Sequence, residues 1–411
     1  MSSVSQNPPD AGRIIHSLLL AEFYLPHRGG SRSYYDHVYR GWEPDRITLL
    51  TKKVPGWQEF DSRESNEYFR IIRRFAPLET CRYQELPKVA LPFLQALAWS
   101  VIRPVDVVHC GDLFPCAGIA LALKRIFGLP YIAYSHGEDI TLTARYRYQP
   151  RIRNYLYQGA DAVITSSENA RRMLLEIGLP PDRVHAITPG VDCTEFSPAP
   201  KDAGLLVRYA LQDKFVVLTV ARLVARKGHD MVMRAVAKLA NDFPQLRYLI
   251  VGRGPEEEKL RQLAGELGIS ERVVFAGFVP QEQLPAFYRL GDVMAMPNRE
   301  CNGDMEGFGM TFLEANAVGR PVIGGLSGGT DESIADGVSG LRVEPTDVEE
   351  LTAAIYSLVS QPQKAEAMGA AGLQRVRTQF DWKPRTERVR QITRELAFRK
   401  RTRRVPSDPL P

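Results

Sequence analysis

Glu306 and Glu314 flank the run Gly307-Phe308-Gly309-Met310-Thr311-Phe312-Leu313. Carboxylates accept hydrogen bonds, and sugar hydroxyls donate them. The run follows the apolar segment Asp292–Pro297 and opens a predicted helix. It therefore falls at the carboxyl end of a strand in an α/β sheet, where open sheets take ligands. The start of a helix presents unpaired N–H groups that favour an anion. Gly307 and Gly309 lack side chains, which lets a phosphate approach. Phosphate between two hydroxyl-binding groups describes a nucleotide-sugar. The plainer alternative is one glutamate complementing a helix dipole and another on a solvated face.

Neighbouring strand ends add weight. Strand Phe215–Val220 leads into Arg222 and Lys227-Gly228, ahead of a predicted helix over 229–240. A guanidinium fork and an ammonium point charge suit a diphosphate. Gly252 and Gly254 close the next strand and leave room for a flat base or ribose. A tight strand-to-helix turn explains them equally well. The segment 275–279, ending in Val279, would offer backbone groups to a base edge. Gly328-Gly329 makes a turn after the strand that follows Glu314.

The first half contributes two further sites. Gly29-Gly30 precedes a predicted helix over 31–40, a second anion-favouring terminus. His136-Gly137 ends strand Tyr131–Tyr134, which would point His136 into a cleft. A lone histidine in a structural role is the competing reading.

These residues need a scaffold of parallel strands. Six apolar runs in each half alternate with helical stretches, the pattern of buried parallel sheets. The first half has residues 13–20, 46–50, 105–109, 131–134, 162–165 and 184–187. The second has 215–220, 248–251, 273–275, 293–296, 321–324 and 341–343. The fold class is α/β, with two Rossmann-like doubly wound domains facing a central cleft. The linker composition around Pro198 to Ala203 places the boundary near residue 200. The expected segments are 1–200 for the acceptor, 201–380 for the nucleotide-sugar, and 381–411 for a last helix and basic tail.

Bulk properties exclude other classes. The 411 residues exceed one ordinary core. A net charge of +5 is too mild to indicate nucleic acid. The five cysteines contain no C-x-x-C spacing and read as free thiols in a reducing cytoplasm. The polar start lacks a signal-peptide core, and no apolar run reaches the ~18 residues of a membrane span. The apolar stretch 90–102 is expected to be a helix packed on the sheet.

The motifs Arg28-Gly29-Gly30, His136-Gly137, Pro189-Gly190-Val191-Asp192 with Phe196, Arg222 with Lys227-Gly228, Val251-Gly252-Arg253-Gly254-Pro255, Glu306 with Glu314, and Gly328-Gly329 occur in one order. In that order the chain resembles the large fourth group of retaining glycosyltransferases with the GT-B fold. Within it, the chain is most similar to bacterial phosphatidylinositol mannosyltransferases. The likeness spans nearly the whole chain. One departure is Asp331, where many members carry proline.

The resemblance implies roles. Arg222 and Lys227 would neutralise the donor diphosphate, with Glu306 on hydroxyls of the transferred sugar and Glu314 on the ribose. The backbone N–H groups of Met310 and Thr311 would meet the distal phosphate, beside the Gly307-Phe308-Gly309 turn. Gly29 and Gly30 would approach that phosphate after closure, and His136 would touch the sugar near the reacting carbon. The last helix, about 382–399, would cross back onto the first domain. Retention is also carried by the resemblance.

The expected partners are a UDP- or GDP-linked hexose as substrate and a lipid-linked or saccharide acceptor. No cofactor is expected, since no D-x-D occurs and arginine and lysine can replace a metal beside a leaving diphosphate. The basic aromatic stretch 145–155 and the cluster 399–404 suit an anionic membrane surface on the cytoplasmic face. A solvated helix face is the alternative. Two rival functions share the fold: a sugar-nucleotide epimerase and a catalytically silent binding protein.

Overall fold

The computed structural model describes residues 14–26, 29–40, 42, 46–64, 70–75, 86–143 and 149–402. The chain forms two compact units. The first comprises residues 1–135, 151–164 and 386–411, and the second comprises 136–150 and 165–385.

One sheet has seven strands: β1 Ser17–Leu20, β2 Ile47–Lys52, β3 Arg70–Phe75, β4 Val107–Cys110, β5 Tyr131–Ser135, β6 Ala162–Thr165 and β7 Val184–Ala186. Their order is β3-β2-β1-β4-β5-β6-β7. The pairings of β1 with β2 and β4, of β2 with β3, and of β4 with β5 are parallel. The other sheet has six strands: β8 Phe215–Val220, β9 Leu246–Val251, β10 Val273–Gly277, β11 Val293–Met296, β12 Val322–Gly325 and β13 Gly340–Val343. Their order is β10-β9-β8-β11-β12-β13, and they are paired in parallel. Each order steps outward one way and then reverses beside its first strand. Ligands of doubly wound sheets bind at that reversal. Both sheets are therefore Rossmann-like, as the alternating apolar runs imply.

Strand β3 escapes the sequence pattern. Its run, Arg-Ile-Ile-Arg-Arg-Phe, mixes cations with apolar residues because it is an edge strand and needs no fully apolar faces. The helix predicted over 31–40 spans Gly30–Arg40, and the one over 229–240 spans His229–Leu239. The last helix runs Trp382–Thr402, and from Thr386 onward it belongs to the first unit. There Thr393 lies 3.5 Å from His109 Nε2. The segment 90–102 lies in a helix, Leu86–Ile102, that packs on β3 and on the helix Gly118–Phe127. That is the expected helix packed on the sheet, and one face of it stays exposed.

The cores differ in kind. The first unit buries Tyr24, Tyr34, Tyr35, Tyr39, Tyr131, Tyr134 and Tyr157. The Tyr39 hydroxyl lies 2.8 Å from both His109 Nδ1 and the Tyr134 hydroxyl. Burial lowers the His109 pKa to about 3. The second unit packs mostly aliphatic residues on both faces of its sheet, joined by phenylalanines such as Phe287 and Phe312.

Candidate functional site

The second sheet reverses between β8 and β11, and the sequence places its charged loops at those two strand ends. After β8, the chain makes a short helical turn over Ala225–Lys227. Gly228 follows with φ +73° and begins the helix His229–Leu239. A Cβ at Gly228 would lie 2.3 Å from the Pro297 carbonyl, so the loop after β8 is pressed against the loop after β11. Arg226 and Lys227 are thereby carried to Glu306. Arg226 Nη1 lies 2.9 Å from Glu306 Oε2, and its Nε lies 2.9 Å from Asp304 Oδ2. The Lys227 ammonium donates to the same Glu306 oxygen. All three side chains are nearly buried, with Glu306 12% exposed.

Burial opposes a charge on Glu306. Lys227 and Arg226 outweigh it and hold the carboxyl below its ordinary range. On Lys227, burial pulls the pKa down against the attraction of Glu306. The cluster is an ion pair with a supporting arginine, so Glu306 is ionised at neutral pH.

Of the predicted cations, Lys227 joins this cluster and Arg222 does not. Arg222 is exposed, and its guanidinium makes no ion pair with a described residue. Its backbone is held firmly. His229 Nε2 lies 3.2 Å from the Arg222 carbonyl, while its Nδ1 lies 3.0 Å from the Tyr248 hydroxyl. Burial lowers the His229 pKa to about 4, so the ring is neutral and its Nε2–H donates to that carbonyl. Arg226, Asp304 and His229 are the residues that sequence reasoning missed. Adjacency to Lys227 was the available signal for Arg226.

The Glu306 turn is built against the His136 loop. A Cβ on Gly307 would stand 2.6 Å from the His136 carbonyl, so only glycine allows this approach. Asp139 Oδ1 accepts the N–H groups of His136 at 2.9 Å and Gly137 at 3.1 Å, which fixes that loop. On the other side, Gly329 N–H donates to the Glu306 carbonyl at 3.0 Å. The Glu332 carboxylate accepts the N–H of Glu168 at 2.6 Å, at the start of the helix Glu168–Glu176.

Gly309, at φ +87°, precedes the helix Met310–Ala317. The Thr311 hydroxyl is buried there and lacks a hydrogen-bond partner among the described residues. Buried polar atoms normally have partners, so this one has capacity for a ligand. Glu314 lies one helical turn further on and accepts from the Tyr288 hydroxyl. Burial first, then Glu314, raises the Tyr288 pKa well above its ordinary value.

Other predicted positions have structural neighbours. Phe308 and Val279 are buried in the core, so their backbones alone could face a ligand. A Cβ on Gly252 would collide with the Ala221 carbonyl at 2.0 Å, and one on Gly254 with the Leu223 carbonyl at 2.3 Å. Their smallness seats the Arg222 loop, which is the tight-turn alternative. In the first unit, Gly30 begins the helix Gly30–Arg40 and Gly29 precedes it, and Arg28 lies outside the described residues.

Two doubly wound parallel sheets, with a carboxylate–cation cluster at the switch point of the second, define a glycosyltransferase of the GT-B architecture. Residues 208–375 match the family described as Glycosyl transferases group 1, and residues 29–195 match Glycosyltransferase Family 4. The chain belongs to the group 1 glycosyltransferases. It is 32% identical to the GDP-mannose-dependent alpha-(1-6)-phosphatidylinositol monomannoside mannosyltransferase of Mycolicibacterium smegmatis, over 91% of this chain and 97% of that one. A GDP-mannose-dependent monoacylated alpha-(1-6)-phosphatidylinositol monomannoside mannosyltransferase of Corynebacterium glutamicum is 28% identical, over 92% and 97% of the two chains. Among solved structures, Anabaena HepE in complex with UDP-glucose superposes with a TM-score of 0.78 at 21% identity, covering 93% of this chain and 99% of that one.

Proposed function

We propose that this enzyme transfers a mannosyl group from GDP-mannose to a lipid-linked mannoside, with retention of configuration and without a metal ion. The observation that carries the reading is the buried Glu306–Lys227–Arg226 cluster beside the start of the helix Met310–Ala317. Relatives named for GDP-mannose and a phosphatidylinositol mannoside align along nearly the whole chain and support the donor and acceptor.

In this mechanism the acceptor hydroxyl attacks the anomeric carbon. The bond from that carbon to the donor phosphate oxygen breaks on the same face. The acceptor proton passes to the departing diphosphate. Negative charge grows on the leaving group, and Arg222, Lys227 and the N–H groups of Met310 and Thr311 stabilise it. Lys227 exchanges its Glu306 contact for the diphosphate, and Glu306 then accepts hydroxyls of the mannosyl ring. Glu314 holds the ribose, oriented by Tyr288, and His136 lines the sugar beside Gly307. Protein cations supply the charge that a metal would otherwise bring, so activity is expected to survive exhaustive chelation. Complete loss that magnesium or manganese restores would overturn that step.

A lipid-linked acceptor places the reaction at the cytoplasmic face of a membrane, with the protein bound peripherally. No helix among the described residues is long and apolar enough to cross a bilayer. Of the basic aromatic stretch 145–155, residues 145–148 lie outside the described residues, as do 403–411 of the tail. Ile152 and Tyr155 are exposed on the helix Gln149–Gly159, whereas Arg153 is buried.

A thermal-shift screen tests the donor. GDP-mannose should raise the melting temperature more than UDP-glucose at equal concentration, because ligand bound only to the folded state stabilises it. A larger shift with UDP-glucose would contradict the guanine assignment. Released mannose in the absence of acceptor would support transfer chemistry, and an epimeric nucleotide-sugar would replace it with epimerisation.

A further inference from the structure

The loop after β11 turns back on itself before it reaches Glu306. Asn302 and Gly303 both take positive φ, 55° and 72°, the two-residue reversal that an Asn-Gly pair favours. Cys301 and Asp304 exchange backbone hydrogen bonds across it, each 3.0 Å long. The stem of this hairpin is tied to the loop after β8 and to the helix that follows. Arg299 N–H donates to the Arg226 carbonyl at 2.8 Å, and Arg299 Nη2 donates to Asp230 Oδ1 at 2.9 Å. Asp304 is thereby set firmly beside Arg226, just ahead of Glu306.

One planar guanidinium then holds two carboxylates, Asp304 on Nε and Glu306 on Nη1. Burial opposes the charge on Arg226, but Glu306 and Asp304 outweigh it and raise its pKa. The clamp therefore persists at neutral pH. Each carboxylate keeps capacity to accept. Arg226 and Lys227 both donate to Glu306 Oε2, and Oε1 has no hydrogen bond to a described residue. Arg226 takes Asp304 Oδ2, while Oδ1 is buried without a partner among the described residues. The Asp304 side chain is 34% exposed, and a half-turn about Cβ–Cγ exchanges its two oxygens.

The charge balance indicates what those oxygens take. Without ligand, Glu306 and Asp304 face Arg226 and Lys227. In the mechanism above, the diphosphate draws Lys227 away and leaves the two carboxylates sharing Arg226. The surplus negative charge needs hydrogen-bond donors, and sugar hydroxyls are donors. From this geometry we infer that Asp304 is a second sugar-reading carboxylate, which accepts one hydroxyl of the transferred hexose while Glu306 accepts a neighbouring one. Two acceptors fixed on one guanidinium select a sugar by the configuration of two hydroxyls rather than one. Arg226 is the positioning residue that sets their spacing. In the competing account Asp304 only props Arg226 for Glu306 and never meets the sugar. The sugar-reading role presupposes the nucleotide-sugar reading of the pocket.

Mannose release from GDP-mannose and from its monodeoxy analogues, by wild type and by Asp304→Ala, tests the role. Wild type should lose about tenfold or more in kcat/KM with the analogue that lacks the hydroxyl Asp304 accepts, the scale of a hydrogen bond to a charged group. Asp304→Ala should lose about as much with GDP-mannose, and should treat that one analogue within about threefold of GDP-mannose, because both deletions remove the same bond. Asp304→Asn keeps an oxygen for Arg226 Nε. It should keep the wild-type melting temperature and GDP affinity while losing the same discrimination. Losses that multiply for every analogue overturn the inference, as does wild-type turnover of GDP-mannose by Asp304→Ala. So does a loss of GDP affinity in Asp304→Asn that matches its loss of turnover, the mark of a purely structural role. Wild-type protein that turns over no GDP-mannose at all overturns the donor reading, and this role with it.

Discussion

The two units use their cations in opposite ways. In the second, Arg226 and Lys227 are buried and share one carboxylate, Glu306. In the first, Arg70, Arg103 and Lys53 rest on tryptophan rings at the surface without a described acidic partner. Burial makes an ion pair costly to break from one side and insensitive to salt. Exposure makes a cation cheap to move and easily screened. The buried set suits one small ligand recognised at short range, and the exposed set is the one that salt screens.

The comparison can be broken first at Arg222 and Lys227. Arg222→Ala should lower transfer by about 10²-fold, the scale of a lost charge-stabilising group. Its melting temperature should stay near wild type, because Arg222 is exposed and makes no ion pair with a described residue. Lys227→Met should lose at least as much activity and also roughly 2–3 kcal/mol of stability, because Glu306 keeps only Arg226. Steady-state kinetics with urea unfolding separate the two. Near wild-type turnover in both variants would remove the proposed anion site.

A smaller effect is expected at Tyr288. Tyr288→Phe leaves Glu314 without its phenol and should weaken nucleotide binding by about 3- to 10-fold, the scale of one hydrogen bond. Titration with GDP reads it directly. An unchanged affinity would leave Glu314 without a ribose role that depends on its orientation.

Much of this site was legible in the residues. Glu306, Glu314, Lys227 and the glycines between the carboxylates lie where strand-end reasoning put them, because a doubly wound sheet collects its strand ends at one edge. Beyond the adjacency of Arg226 to Lys227, the partners were not legible. Arg226 reaches Glu306 only through the one-turn helix Ala225–Lys227, and Tyr288 reaches Glu314 from the helix Leu284–Leu290. Contacts between separate elements leave no spacing signal. The same holds for Gly252 and Gly254, whose turns admit the backbone of the Arg222 loop rather than open space. Strand β3 was missed because its cations hide an edge strand from an apolar-run criterion.

The first unit gives the most gradual effect, in its pH dependence. His109 has a pKa of about 3 when folded and an ordinary value of 6.5 when unfolded. Between these values the unfolded chain binds a proton that the folded chain refuses. Stability is therefore lost as pH falls from about 6.5 towards 3, by up to about 1.4 kcal/mol per unit for one such group. His109→Gln should flatten the slope of urea midpoint against pH in that window. His229, at about 4 when folded, adds a slope of the same sign. An unchanged slope in His109→Gln would mean that the ring is not held neutral.

The account rests on Glu306 and Glu314 having different jobs, and calorimetry with GDP alone separates them most directly. Glu306→Gln removes the carboxylate that occupies Lys227 and Arg226, so GDP affinity should be retained or increased while mannosyl transfer falls by about 10²-fold. Glu314→Ala should weaken GDP binding by about 10-fold or more, the scale of a hydrogen bond to a charged group. Equal losses of GDP affinity in the two variants would contradict the assignment of one carboxylate to the sugar and the other to the nucleoside.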